Sequence, residues 1–496
     1  MSDVRQPSIE VRFEGGRRIV STRQQRPGGG EFVHEHDFPD ALVHQYMPTS
    51  PGESVPLYDG DFKFAGDDEG RTWFGRAALI WYPSPHVLSS ASSPSRDVTD
   101  FMDIRASGKR EWVEMPSIEV PLKDGVLPAQ PVGPTTQPMD SGRRRTDRLA
   151  PQVIGDGSAI DRLTFLVPNG WDTPLGSGVA DPADLRRYWH GRLEAFPTGW
   201  HITIDRRPEV NRKFWARLRD ENASAVTHIG QIARDDGSSF DAEDAEPVLQ
   251  ALRLAFSLAV GRTVTPLLPV GWRGRHAVWA RWGGAHIDRV LNTGHFLDRQ
   301  DGVEQLRELI ERVVDYCRVP ERLDVLQYAT SYYVTATYDV DVELGVALPV
   351  SGMQLLAYNR FVEQRRSHTK KQWKALPATE NEIRLLLDDC KIPTGIPATH
   401  GYLRGVSRKA QSSEQAPTPR DALGCVMLLR NKIIHPTSTK PGTWSAYEWS
   451  EAGDYAAHCL LLAILNTVGY QGRHRSAWAE NIWEGVTEPV PWAATP

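Results

Sequence analysis

The feature that most constrains this chain is a change of hydrophobic period near Gly302. Upstream, short strand-like runs are separated by turn-forming clusters, whereas downstream apolar residues recur at three- and four-residue steps almost to the end. A two-residue period and a 3.6-residue period bury different faces, so a β-containing part must be followed by a helical part. At 496 residues the chain is several times the usual domain size, which predicts more than one domain.

Residues 1–150 are rich in Pro, Ser, Gly and Asp and carry strand-like runs at Ile9–Phe13 and Trp73–Tyr82, as in a small β-rich domain. Leu122–Asp147, with Pro128, Pro131, Pro134 and Pro138 ahead of the basic run Arg143–Arg145, has a composition that suits a linker or an irregular covered loop equally. In residues 151–300, RLTFLVPNG, WHITIDRR, AVTHIGQIA, TVTPLLPVGW and HAVWARWGG read as strands and EVNRKFWARLRD as a helix. A longer helix spans Glu243–Val260, with Gly261 placed to end it. Short turns favour antiparallel pairing, hence an α+β domain.

Residues 301–340 read as two bridging helices, Val303–Arg318 and Leu323–Tyr338. Residues 341–496 read as a helical domain with helices at Ser351–Gln364, Thr379–Cys390, Thr418–His435 and Ala446–Val468. Between Lys391 and Pro419 a long connection ending in RKAQSSEQAPTP is expected on the surface. The expected architecture is multidomain α+β, with β-rich N-terminal domains followed by an α-helical domain.

Charge and composition exclude several functions. With 57 basic and 63 acidic residues, a net charge of -6 argues against coating nucleic acid or anionic membrane by bulk electrostatics. The longest wholly apolar run, Cys459–Leu465, falls far short of the roughly 20 residues of a spanning helix, and the first residues lack the apolar core of a secretory signal, so a cytoplasmic protein without a membrane partner is expected. Cys317, Cys390, Cys425 and Cys459 are widely spaced and read as reduced core residues. The 16 tryptophans, spread along the chain from Trp73, indicate that the part upstream of Gly302 is folded too. Gly28–Gly30 precede no phosphate-binding lysine. His34 and His36, with Glu31, Glu35 and Asp37, have a metal-binding composition but no further ligand, so EFVHEHDFPD is expected to be a polar loop and neither metal nor cofactor is expected.

The segment that carries chemistry is TPRDALGCVMLLRNKIIHP, Thr418–Pro436. Thr418 suits the N-cap, Pro419 the first helical position and Asp421 the first turn, while Pro436 forces the stop and leaves His435 at the C-terminal end. An imidazole beside the negative end of a helix exchanges protons near neutral pH. Asn431 lies four residues before it on the same face, and the long Arg430 side chain can swing beside both, so the three can converge on one phosphate. The bare spacing Arg-x4-His arises about once by chance in such a chain. A second match, Arg281 to His286, spans the Gly283-Gly284 turn, where no helix presents the pair on one face.

Arg430-Asn431-Lys432-Ile433-Ile434-His435 resembles the R-N-x-x-x-H motif of the HEPN superfamily, and the resemblance extends over about Asp341–Pro496, including the IPTGIP loop and the tail Glu484–Trp492. It implies a four-helix domain, a metal-independent endoribonuclease, and a homodimer or higher even oligomer with two copies of the motif in one cleft. Arg430 and His435 would be catalytic and Asn431 would position the phosphate or the imidazole, with Lys432 beside them; in a monomer His400 or His474 would have to supply the second proton-transfer group. It also implies a defence or toxin effector that meets a phage-derived or cellular trigger and is restrained by its N-terminal domains. The alternative is a non-catalytic dimerisation or partner-binding module with a ligand-sensing N-terminal region. Independently, the basic run Arg365–Lys374, with Lys370 and Lys371 beside Trp373, has the composition to follow an RNA backbone and stack a base, or to be a solvated helix end.

Overall fold

The structure, a computed structural model, describes residues 8–14, 17–25, 31–47, 50–64, 72–92, 118–120, 144–173, 176–184, 187–291, 296–298, 300–338, 340–414, 419–435, 444–480, 483 and 485–493. The expected change of character is present: sheets dominate the first part and helices the second, which adds a short two-stranded pairing of Arg473–His474 with Glu488–Pro489. Strands β1 (Ser8–Glu14), β2 (Arg17–Gln25) and β3 (Glu31–Phe38) form an antiparallel meander. EFVHEHDF is therefore a strand in register with β2, not a polar loop. Its polar residues hid a pairing that depends on the partner strand.

A five-stranded sheet follows, built from β4 (Val55–Phe64), β5 (Trp73–Ile80), β6 (His86–Ser92), β7 (Ile118–Glu119) and β8 (Arg144–Arg148) in the order β7-β4-β5-β6-β8. Most of the expected linker, residues 122–143, lies outside the described residues, but its basic end enters strand β8, paired with β6 at a sheet edge. An edge strand tolerates charge because it need not bury both faces.

The third sheet has eight strands: β9 (Gln152–Gly155), β10 (Arg162–Pro168), β11 (Ser177–Ala180), β12 (Tyr188–Ala195), β13 (Trp200–Arg206), β14 (Val226–Arg234), β15 (Leu267–Arg273) and β16 (His276–Trp282). Their order is β11-β12-β13-β14-β10-β15-β16-β9, with antiparallel pairing throughout. Helix α1 (Arg212–Asp220) lies between β13 and β14, and α2 (Glu246–Val260) between β14 and β15. Gly261, at φ 64°, ends α2 as expected, because the left-handed conformation costs glycine least.

Alternation along β10 sets the layers. Leu163, Phe165 and Val167 join Ile202, Ile204 and Trp279 in a core shared with α2 and the helices beyond it. Leu166 points the other way, with Ile229, Val270 and Trp282, into a core shared with Leu57, Phe62 and Leu79 of the five-stranded sheet. The large sheet is thus covered on both faces, and each buried Leu or Phe contributes about 1.5–3 kcal/mol.

The helical part comprises α3 (Gly302–Tyr316), α4 (Pro320–Thr337), α5 (Val342–Tyr358), α6 (Lys370–Lys374), α7 (Thr379–Asp389), α8 (Gly401–Glu414), α9 (Ala422–Ile434) and α10 (Ala446–Val468). Helix α5 begins before the expected Ser351 and runs through Pro349, which is buried, then widens into a π-helical turn over Asn359–Gln364. Burial against α10, its most extensive helix partner, offsets the lost hydrogen bond. The expected surface connection before Pro419 contains α8, whose Leu403, Val406 and Ala410 are buried at helical spacing. All four cysteines are free and buried. No helix among the described residues is long and apolar enough to cross a membrane.

Candidate functional site

Helix α9 is anchored at its start and open at its end. Thr418 lies outside the described residues; the N-cap is Asp421, whose side chain accepts from the Gly424 N–H at 2.8 Å. Arg384 of α7 grips the same carboxylate with two hydrogen bonds, 2.7 and 2.8 Å, and the Ala422 N–H donates to the Thr394 carbonyl at 3.0 Å. Arg384 and the Gly424 N–H hold the Asp421 carboxyl below the usual carboxylate range against the opposing effect of burial. From Ala422 to Met427 every residue is buried, as is Leu429.

The last turn then leaves the core. Arg430 is half-buried, while Asn431, Lys432 and His435 are exposed. The Arg430 guanidinium donates to Asn431 Oδ1 at 3.2 Å, its Nε is buried without a hydrogen-bond partner, and no carboxylate among the described residues pairs with it. The His435 N–H donates to the Asn431 carbonyl at 2.9 Å, closing the helix with the imidazole in solvent. The structure therefore joins Arg430 to Asn431 directly and places His435 one turn on. Pro436 lies outside the described residues.

The other candidates behave differently. Lys370 and Lys371 are exposed in the first turn of α6, which Thr369 caps. Trp373 is only 5% exposed and stacks on Phe361 with ring centroids 6.1 Å apart, so it is a core residue and cannot stack a base. The second Arg-x4-His match is divided between two carboxylates, Arg281 pairing with Glu246 and His286 contacting Asp288 at 3.0 Å. His400 and His474 are buried, both near His458, and His474 Nε2 faces the Glu488 carboxylate at 3.6 Å, so neither can serve a solvent-borne phosphate.

Sequence reasoning missed a basic and aromatic surface. Tyr402 of α8 and Tyr447 of α10 are exposed and stacked, with centroids 5.0 Å apart. Arg404, Arg408 and Lys409 occupy the exposed side of α8, and the Lys409 ammonium lies 5.1 Å from the centre of the Trp444 ring while pairing with Glu448 at 2.6 Å. Once α8 is recognised as a helix, the spacing of Arg404 and Arg408 puts them on one face, and that was the signal available.

Comparison with known proteins corrects the family reading. Residues 320–487 match the family model described as the YopA C-terminal domain, and no HEPN family is found. A motif with three fixed side chains on a helix end recurs without common ancestry, which is why it misled. Residues 155–293 match the YopA central domain. No solved structure matches. A curated relative, the "SPbeta prophage-derived uncharacterized protein YopA" of Bacillus subtilis (strain 168), is 25% identical over 462 residues, which cover 91% of this chain and 98% of the relative. In both its large sheet and its helical region, the chain is therefore similar to YopA.

Proposed function

We propose that the protein is a cytoplasmic endoribonuclease that cuts RNA without a metal, with Arg430, Asn431 and His435 as its site. The observation that supports this most is the guanidinium of Arg430, joined to Asn431 and without a carboxylate partner among the described residues, at the open end of an otherwise largely buried helix. RNA carries its own nucleophile in the 2′-hydroxyl, so cleavage to a cyclic phosphate requires proton transfer and a cation beside the phosphate. His435 moves the proton, Arg430 stabilises the charge gathering on the phosphate oxygens, Asn431 orients the phosphate and Lys432 strengthens its hold. One chain offers one exposed imidazole here, because His400 and His474 are buried, so a second copy supplies the second acid–base group in a dimer or higher even form. The name of the Bacillus relative places that protein in a prophage, which fits an effector in phage–host conflict, restrained by the β-rich regions until a phage-derived or cellular signal arrives.

The test is incubation of the full-length protein with total RNA in EDTA, beside His435→Ala and Arg430→Ala. The expected products end in 2′,3′-cyclic phosphate or 3′-phosphate, and both variants lose cleavage while melting within a degree or two of the wild type, since both side chains leave the core. Products with 3′-hydroxyl ends, or cleavage undiminished in His435→Ala, would overturn the reading and leave this helix end as a partner-binding edge.

A further inference from the structure

Helix α2 carries one residue that its surroundings do not explain. From Ala251 to Val260 every residue is buried except Arg253, which is half-buried. Its guanidinium has no hydrogen-bond or ion-pair partner among the described residues, and burial lowers its affinity for the proton with no opposing carboxylate. A guanidinium half removed from water with no counter-charge is unfavourable, and burial of charge in proteins is ordinarily compensated by pairing.

Arg253 forms part of the wall of two clefts. The larger, about 420 Å³, lies between α2 and α4; the smaller, about 340 Å³, lies between α2 and the ends of β15 and β16. Such volumes fall in the range of small-molecule sites. The larger cleft is walled by hydroxyls, among them Thr330, which is 3% exposed and whose Oγ1 has no hydrogen-bond partner. The acidic residues in the two walls are already committed. Asp288 accepts from the Thr263 N–H at 2.6 Å and pairs with His286 at 3.0 Å, and Glu246 pairs with Arg281 at 2.5 Å. What remains without a partner among the described residues is the Arg253 guanidinium and the Thr330 hydroxyl, two groups on residues of the same wall.

We infer that the cleft between α2 and α4 binds a small phosphate-bearing molecule, with Arg253 holding the anionic group and Thr330 donating its hydroxyl to the same ligand. A phosphate oxygen accepts from guanidinium and hydroxyl alike, which makes it the better match to this pair than an apolar or cationic ligand. The occupant would touch α2, within the region similar to the YopA central domain, and α4, within the region similar to the C-terminal domain. The site is independent of RNA cleavage.

The experiment is thermal unfolding of the full-length protein titrated with inorganic phosphate, against sodium chloride of matched ionic strength and against acetate. Phosphate is expected to raise the midpoint saturably beyond chloride and acetate. Arg253→Met keeps the aliphatic stem and removes the uncompensated charge, so its midpoint without phosphate should equal or exceed that of the wild type while phosphate binding weakens at least ten-fold. Thr330→Val should reduce the phosphate response without lowering the midpoint in its absence. The inference is overturned if phosphate acts no differently from chloride, if acetate alone stabilises, or if Arg253→Met and Thr330→Val both respond to phosphate as the wild type does.

Discussion

Acidification from about pH 7.5 to about pH 5 is predicted to destabilise the protein through histidines that fold neutral. Burial pushes His44 down to about 4 and His228 down to about 3, with Arg206 adding repulsion at His228. His458 is held well below its usual value by burial, with His474 and His400 beside it. Each folded value lies below the unfolded one, so the stabilisation is complete above about pH 6.5 and is lost as pH falls, because only the unfolded chain takes up the proton. The slope is about 1.4 kcal/mol per pH unit for each group, continuing to about pH 4 for His44 and about pH 3 for His228. Between about pH 6.5 and 5, His44 and His228 together therefore remove about 4 kcal/mol, a large part of the roughly 5–15 kcal/mol of an ordinary domain. Carboxylates held low, such as Asp389 and Asp421, lose their contribution only below the ordinary carboxylate range, while Asp454, raised by burial, works in the opposite direction. The measurement is the unfolding midpoint against pH at constant ionic strength for wild type and His228→Gln. The variant should show a shallower slope; a flat wild-type profile, or identical slopes, would refute the argument.

Two further outcomes are expected. Arg384→Ala breaks the forked pair with Asp421, whose partners are each about one-third exposed (34% and 28%), so solvent screening limits the loss to about 1–2 kcal/mol; Arg384→Lys should restore only part of it, as read by denaturant midpoint. A fragment of residues 341–496 should fail to form a rigid fold, because Leu326, Ala329 and Tyr333 of α4 belong to the same core as α5 and α10; a monodisperse fragment with native near-ultraviolet dichroism would contradict this.

Elements governed by local patterning were legible in the sequence. Helix α10 occupies the expected Ala446–Val468, since Ser445 and Glu448 form a capping box and Gly469 adopts φ 80° at its end. Strands β10, β13 and β14 showed themselves as apolar runs because the sheet is buried on both faces. What failed depended on partners distant in the chain. Strand β8, RRTDR, has no apolar signal and exists through its pairing with β6. Pro349 marks a break by local rules, yet its helix continues because α10 packs alongside, with Gly352 so close to Leu460 that an added Cβ would lie 2.7 Å from Cδ2. No local pattern reveals that β10 pairs with β14 and β15, which follow it by some sixty and a hundred residues.

The grouping of the candidate residues was legible to a similar degree and for the same reason. Arg430, Asn431 and His435 are close in sequence and share one helix end, so spacing alone put them together. Spacing could not distinguish exposure: it offered Trp373 for stacking and His400 and His474 as reserve proton carriers, and all three are buried by contacts from other elements. Arg253 shows the converse. In the sequence it is a polar residue within an apolar helix that nothing local singles out, and its significance depends on α4, which closes over α2 without supplying a carboxylate to the cleft. A charge becomes informative when its partner is missing, and a missing partner is a property of the assembled fold.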